Sequence, residues 1–107
     1  MRGYEKQANF QRAIVRLLNR NNIFFFANYK EKYPNKTLGF IKGMPDLTIL
    51  LPNKCVFVEL KNGYNGYHSL TEQEFGEKVV GLGFDYIVWG EIIDAEFFIK
   101  KYKGVVK

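Results

Sequence analysis

The sequence has 107 residues, 47% of them hydrophobic, and a net charge of +5, which suits one globular domain and excludes a disordered chain. No apolar run approaches the ~20 residues of a membrane span, and "MRGYEKQANF" lacks the apolar stretch of a secretory signal. The single cysteine and single histidine exclude an internal disulfide and a multi-histidine metal site, so we expect one cytoplasmic domain over residues 1–107.

The first predicted element is a helix from about Tyr4 to Arg20. Four apolar side chains can share one of its faces: Ala8, Ile14, Leu17 and Leu18. Arg12, Arg16 and Arg20 recur every four residues and form a basic stripe. Such a stripe is either an ordinary solvated helix face or a surface that contacts phosphates.

A strand rich in aromatic residues is predicted in "NIFFFANY". The following loop, "KEKYPNKTLGFIKG", has room for a short strand near residues 38–41. Its lysines, interleaved with aromatic residues, fit phosphate contact and base stacking as well as they fit an ordinary surface loop. They are Lys30, Lys32, Lys36 and Lys42.

Charge is divided unevenly along the chain. Residues 1–54 carry ten Lys or Arg against three acids, whereas residues 55–107 carry six against eight. A basic half favours a polyanionic partner such as nucleic acid, although an idle basic surface gives the same pattern.

A hairpin is predicted from "DLTILL" and "CVFVELK", with Pro52 ending the first strand and Asn53-Lys54 forming the turn. Cys55, in the second strand, is expected to be a buried and unreactive thiol. A helix over residues 71–82 should begin with Thr71 as N-cap and Glu74 completing a capping box.

A short strand in "DYIVWG" and a last helix in "DAEFFIKKYK" complete the chain. The predicted order is α-β-β-β-α-β-α, which favours an α/β fold with a mixed sheet of about four strands flanked by helices. The strand–helix–strand unit from Val56 to Trp89 predicts a parallel pair.

Three charged residues border the hairpin. Glu59 and Lys61 are two residues apart on one strand and therefore point to the same face. The Asn53-Lys54 turn would place Asp46 opposite Lys61 and bring its carboxylate diagonal to Glu59. The three charges are either the solvated ends of a hairpin or one site.

If they form a site, its chemistry is that of a hard divalent cation. Mg²⁺ prefers oxygen ligands and usually takes only one or two protein carboxylates, with phosphate and water completing its shell. Lys61 could orient or deprotonate an attacking water, or neutralise a phosphate.

Pro45-Asp46 followed by Glu59-x-Lys61 resembles the signature of the PD-(D/E)xK nucleases. The blocks "GMPDLTIL", "VFVELK", "LTEQ" and "LGFDYIVW" resemble the VRR-NUC family, especially its short stand-alone members from phages and bacteria. The N-terminal "YEKQANFQRAIVRLL" is similar to the first helix of that family. The resemblance runs from about Glu5 to Trp89 and implies a restriction-endonuclease-like fold.

The resemblance also implies roles for individual residues. Asp46 and Glu59 would be metal ligands for Mg²⁺ or Mn²⁺, and Lys61 the catalytic lysine. Glu5 would supply an outer or second-metal carboxylate, the Leu60 carbonyl an additional ligand, and Gln73 would sit beside Lys61. Glu5 could equally be a first-turn acid that favours the helix dipole, and Gln73 an ordinary polar residue. His68 is left out of the site.

The expected function is that of a metal-dependent, structure-selective DNA endonuclease acting on branched DNA such as four-way (Holliday) junctions. The resemblance implies a homodimer in the cytoplasm of a bacterium or a phage-infected host, and products with a 5′-phosphate and a 3′-hydroxyl. Arg12, Arg16 and the four lysines of the 29–42 loop would hold phosphates. One alternative is a non-catalytic nucleic-acid-binding module on the same fold; another is an interaction domain with a basic surface.

Overall fold

The computed structural model describes the backbone of residues 3–28, 43–64 and 69–105, and side chains over 6–28, 43–63 and 69–102. Its elements are α1 (Gly3–Arg20), β1 (Phe24–Ala27), β2 (Leu47–Leu51), β3 (Lys54–Leu60), a short 3₁₀ turn (Asn62–Tyr64), α2 (Leu70–Gly81), β4 (Asp85–Trp89) and α3 (Ile92–Val105). The predicted α/β class and order of elements are confirmed. The strand expected near residues 38–41 falls outside the described residues.

The four strands of the described chain form one mixed sheet in the order β1-β2-β3-β4. β1 pairs with β2 and β2 with β3 in antiparallel fashion, whereas β3 and β4 are parallel. The parallel pair confirms the crossover predicted from the strand–helix–strand pattern.

The predicted hairpin register is wrong, because the turn lies one residue earlier in the sequence than predicted. Leu51 pairs with Lys54 and Thr48 with Phe57, so the corner residues are Pro52 and Asn53 rather than Asn53 and Lys54. Proline fixes a negative φ at the first corner, and Asn53 takes a positive φ, 59°, at the second, a conformation that asparagine tolerates. The correction moves the pairing by two residues, so every side chain stays on its predicted face.

One face of the sheet carries the main hydrophobic core. Because side chains alternate along a strand, β2 and β3 direct their aliphatic residues to this face; they are Leu47, Ile49, Val56, Val58 and Leu60. Phe10, Ile14 and Leu18 of α1 and Ala95 and Ile99 of α3 are buried in the same cluster. These three residues of α1 are spaced four apart, which makes them the centre of its buried stripe.

A Schellman motif connects α1 to β1. The amide of Ile23 donates to the Leu18 carbonyl, and that of Asn22 to the Asn19 carbonyl. Asn22 adopts φ 56°, a left-handed conformation that asparagine tolerates better than most residues. The motif ends the helix and turns the chain so that Ile23 packs into the core.

The opposite face of the sheet is packed by α2. Phe57 of β3 contacts Phe75 of α2 and Phe84 just beyond it, with ring centroids 5.5 and 6.2 Å apart. Gly83, at φ 95°, allows the Schellman turn in which the Phe84 amide donates to the Val79 carbonyl. This turn ends α2 and brings Phe84 back onto the sheet.

The N-terminus of α2 differs from the prediction. The helix begins at Leu70, and Ser69, not Thr71, is its N-cap. Ser69 Oγ accepts from the Glu72 amide, and a Glu72 carboxylate oxygen accepts from the Ser69 amide, which completes the capping box. The sequence holds two overlapping Ser/Thr-x-x-Glu patterns, and the one that starts two residues earlier forms the cap.

Cys55 is half-buried, and desolvation raises the pKa of its thiol, which favours the unreactive protonated form.

No helix in the described ranges combines the length and apolar character needed to cross a membrane.

Candidate metal and phosphate site

Asp46 lies immediately before β2 and reaches across to β3. Its Oδ2 accepts a hydrogen bond of 2.8 Å from the amide of Leu60. Leu60 stands between Glu59 and Lys61, so this bond fixes the Asp46 carboxylate at the point of β3 where both charged side chains emerge.

Asn28 holds the backbone on either side of Asp46. Its amide donates to the Asp46 carbonyl at 2.9 Å, and its Nδ2 to the Pro45 carbonyl at 2.9 Å and to Thr48 Oγ1 at 3.0 Å. Pro45 is also fully buried. The segment leading to the carboxylate is therefore held from β1 as well as from β3.

Gly43 brings the same segment against α2. A Cβ atom built at this position would collide with the carbonyl of Thr71 in the first turn of the helix. The backbone also takes φ 82° here, which glycine adopts without a steric penalty. Both the close approach and the conformation therefore require glycine three residues before Asp46.

Glu59 is a buried carboxylate on the α2 face of the sheet, with 1% of its surface exposed. Its Oε2 atom is buried and accepts no hydrogen bond from the part of the chain that the structure describes. A carboxylate so deeply placed costs folding free energy unless nearby positive charge or a bound cation compensates it.

The Leu60 carbonyl at the end of β3 is also engaged. Gln7 of α1 donates to it through Nε2 at 2.7 Å and accepts the amide of Asn62 through Oε1 at 3.2 Å. Gln7 thus fixes α1 to the end of β3. A carbonyl oxygen has two lone pairs, so this hydrogen bond leaves acceptor capacity on Leu60.

Lys61 follows β3 directly and forms an ion pair with Glu72 of α2. Lys61 Nζ lies 3.2 Å from Glu72 Oε2, and each side chain is only 15% exposed. Burial opposes ionisation of Glu72, but hydrogen bonds from Ser69 and Lys61 outweigh it and lower the pKa of Glu72 to about 2. Glu72 is therefore ionised at any pH near neutrality.

Tyr86 of β4 closes the site from the side of the parallel pair. It pairs with Phe57, and its ring lies against Gly76 of α2, where a Cβ would come within 3.2 Å of it. Burial, and then the charges of Glu59, Glu72 and Asp46, raise the pKa of Tyr86. The hydroxyl therefore stays protonated and remains a hydrogen-bond donor.

The other residues considered from the sequence are either exposed or outside the described side chains. Gln73 is exposed on α2 and lines a shallow groove with Gly76 and Tyr86. Arg12 and Arg16 are exposed on α1, with Arg12 Nη1 donating to Asn9 Oδ1 at 2.7 Å. Glu5 belongs to α1, but its side chain is outside the described residues, as are Lys30, Lys32, Lys36, Lys42 and His68.

Among the described side chains, the candidate metal ligands are two carboxylates, those of Asp46 and Glu59. Among the side chains that the structure describes, no three His, Cys, Asp or Glu residues cluster as a metal would require of a purely protein-made shell. Asp46 and Glu59 together supply the one or two protein carboxylates typical of a Mg²⁺ site that also uses phosphate and water. The residues present therefore fit such an ion.

Four residues of the site went unrecognised in the sequence: Gln7, Asn28, Glu72 and Tyr86. Glu72 carried a usable signal, since it lies three residues after Ser69 in a capping-box pattern. Gln7, Asn28 and Tyr86 act through contacts with β3, the segment before β2, and α2, which no local pattern encodes.

Comparison with known proteins supports the fold. No protein-family model matches the sequence, and no curated protein matches it. A solved structure described as a VRR-NUC domain protein is similar over 92% of this chain and 88% of its own, with a TM-score of 0.74 and 19% identity. Another, described as a VRR-NUC domain, is similar over 91% and 97%, with a TM-score of 0.66 and 21% identity. The chain has the fold of VRR-NUC domains, as the sequence blocks predicted.

Proposed function

We propose that this chain is a metal-dependent DNA endonuclease that hydrolyses phosphodiester bonds. The observation that carries the proposal is the hydrogen bond from the Leu60 amide to Asp46 Oδ2, which places the Asp46 carboxylate at the residue between Glu59 and Lys61. The fold shared with VRR-NUC domains supports a nuclease-type domain. Pure nucleic-acid binding would gain nothing from two carboxylates turned toward phosphates.

Asp46 and Glu59 would hold Mg²⁺ or Mn²⁺, with the Leu60 carbonyl as an additional oxygen. When bound, the ion would lower the pKa of an attacking water and stabilise negative charge on the phosphate. The hydrogen bond from Leu60 keeps Asp46 oriented, and the burial of Glu59 excludes bulk water from one side of the site.

Lys61 would contribute its ammonium to the scissile phosphate or to the attacking water. Gln73, exposed at the start of α2, would position the same groups from the helix. Arg12 and Arg16 would contact the DNA backbone away from the reacting bond, so cleavage should weaken steeply with salt. Products with a 5′-phosphate and a 3′-hydroxyl require the 3′-oxygen to be the leaving group, as the resemblance to this fold class implies.

The proposed substrate is branched DNA, with a four-way junction as the first candidate, and the active form a homodimer. Two sites related by a two-fold axis would nick two strands symmetrically. This part of the proposal depends on the resemblance to stand-alone VRR-NUC proteins.

The experiment compares the wild type with Asp46→Asn on linear, flap and four-way DNA in Mg²⁺ and Mn²⁺. Asparagine can still accept from the Leu60 amide but loses the charge, so cleavage should fall by at least about 100-fold while DNA binding persists. Asp85→Asn is the matched control, because the Asp85 side chain is 47% exposed and its salt bridge to Lys54 lies at the protein surface.

The outcomes separate the alternatives. Undiminished cleavage by Asp46→Asn would show that the Asp46 carboxylate is not part of the active site. DNA binding without cleavage by the wild type in either metal would favour the non-catalytic binding module. Neither binding nor cleavage would favour an interaction domain with a basic surface.

A further inference from the structure

Glu72 connects Lys61 to the first turn of α2. Its two carboxylate oxygens have different partners: Oε2 lies 3.2 Å from Lys61 Nζ, and Oε1 accepts from the Ser69 amide at 3.0 Å. The Glu72 amide in turn donates to Ser69 Oγ at 3.2 Å. Glu72 is therefore held by the helix cap at one end and holds Lys61 with the other.

This arrangement restrains a side chain that is otherwise mobile. Lysine carries its charge on a flexible four-carbon stem with three rotatable N–H donors. An ion pair at 15% exposure on both sides is shielded from the solvent screening that makes surface pairs weak. The hydrogen bond to Glu72 confines the Lys61 ammonium, and with it the N–H groups that would face a phosphate or a water, to a narrow range of positions.

The same turn of α2 also touches the segment that presents Asp46. The Thr71 carbonyl lies against Gly43, so tightly that no side chain fits between them. The first turn of α2 thus contacts both Lys61, through Glu72, and the segment before Asp46, through Thr71. Side chains of a reactive site work best when packed secondary structure fixes their mutual distances.

We propose that Glu72 is a positioning residue for Lys61 in phosphodiester hydrolysis, holding the ammonium in its reactive place while making no contact with the substrate itself. The proposal rests on the nuclease function proposed above. It differs from the simpler role of Glu72 as a helix cap, which would affect stability and leave the lysine unaffected.

Glu72→Gln separates the two roles. Glutamine also completes a capping box, but it is neutral and cannot form the ion pair. Ser69→Ala is the complementary variant, because it weakens the cap while keeping the Glu72 carboxylate. Glu74→Gln is the matched control: it removes the same charge from an exposed position two residues further along α2.

The first readout is steady-state cleavage of DNA by each variant, well below its unfolding temperature. Glu72→Gln should lower kcat by about 10–100-fold, the usual loss when the partner of a reactive group is removed, with KM changed less than about threefold because ground-state binding is untouched. Ser69→Ala and Glu74→Gln should keep kcat within about threefold of the wild type.

The second readout needs no activity. In protein labelled with ¹⁵N at lysine Nζ, the Lys61 resonance is assigned by its loss in Lys61→Arg. Glu72→Gln should shift this resonance and speed its exchange with water, whereas Glu74→Gln should leave it in place.

Each result decides a different question. An unchanged Lys61 resonance in Glu72→Gln, or an unchanged or increased kcat, overturns the positioning role. Equal kcat losses in Ser69→Ala and Glu72→Gln assign the effect to the cap and also overturn it. A wild type that cleaves no DNA refutes the nuclease function and with it the catalytic part, while the resonance still shows whether Glu72 holds Lys61.

Discussion

The two faces of the sheet differ in what their side chains do, although the same strands supply both. The face toward α1 and α3 is aliphatic, with Val56, Val58 and Leu60 of β3 almost completely buried. The face toward α2 begins with Phe57 in an aromatic cluster and ends with Glu59 and Lys61. Along three consecutive residues, Val58, Glu59 and Leu60, burial stays complete while the chemistry alternates.

The contrast shows that burial alone does not identify a core position. Burying Leu60 contributes to stability through the hydrophobic effect, whereas burying the Glu59 carboxylate opposes folding unless its charge is compensated. The first face therefore stabilises the fold, and the second uses part of that stability to hold charged groups away from water.

The largest expected effect is a difference in the free energy of unfolding between two neighbouring substitutions on β3. Leu60→Ala removes most of a buried aliphatic side chain and should lower the free energy of unfolding by about 2–5 kcal/mol. Glu59→Gln preserves the shape and replaces one charged oxygen by a neutral NH₂ group, so the unfolding free energy should stay within about 1 kcal/mol of the wild type. Urea denaturation of both variants measures the difference. Similar losses in the two would mean that Glu59 is a structural residue.

The next effect concerns the approach of the Asp46 segment to α2. Gly43→Ala should destabilise the protein by about 1–3 kcal/mol, because a methyl group would overlap the Thr71 carbonyl at a backbone φ of 82°. Gly81→Ala is the matched control, since a Cβ there meets nothing within 4 Å. Within a helix, that change should be neutral or stabilise by up to about 1 kcal/mol. Thermal unfolding of the two variants tests this; equal behaviour would contradict the close packing.

A third prediction uses the pH dependence of stability. The folded-state pKa of Glu72 is about 2, below its value near 4.3 in an unfolded chain. Its contribution, on the order of 1–3 kcal/mol, is therefore complete above about pH 5 and declines as the pH falls toward 2. The difference in unfolding free energy between the wild type and Glu72→Gln should shrink over this range. A difference independent of pH would show that the Glu72 charge contributes nothing to the fold.

The smallest expected effect lies on the outer side of α1. Replacing Arg12 and Arg16 together by glutamine should weaken DNA binding alike for all sequences and reduce the slope of log affinity against log salt by about 2. Lys100→Gln/Lys101→Gln removes the same charge from α3 and serves as the control. Binding measured by fluorescence anisotropy at several salt concentrations gives the slopes. Equal slopes for the two double variants would assign the effect to net charge alone.

The sequence predicted the faces better than the pairings. The two-residue periodicity of strands placed Glu59 and Lys61 together, and this survived the shift of the turn to Pro52-Asn53 because a move of two residues preserves the face. The turn itself was mispredicted, since both Asn53-Lys54 and Pro52-Asn53 satisfy local preferences, and the tertiary pairing of β2 with β3 decided between them.

Long-range contacts explain why sequence patterns did not identify Asn28 and Gln7 as residues of the site. Asn28 reaches Pro45 and Thr48 across β1 and β2, and Gln7 reaches Leu60 from a helix more than fifty positions away. Periodicity, capping and turn preferences report only on neighbours within a few residues. These side-chain hydrogen bonds can be recognised once the order of the strands in the sheet is known.

Cleavage and binding of one four-way junction by the wild type and by Glu59→Gln test the central claim, that the α2 face of the sheet is a nuclease site. Both proteins are measured in the same buffer with Mg²⁺. The account predicts a rate at least about 100-fold lower for Glu59→Gln, with an unchanged dissociation constant for the DNA. Cleavage by Glu59→Gln at the wild-type rate would contradict it.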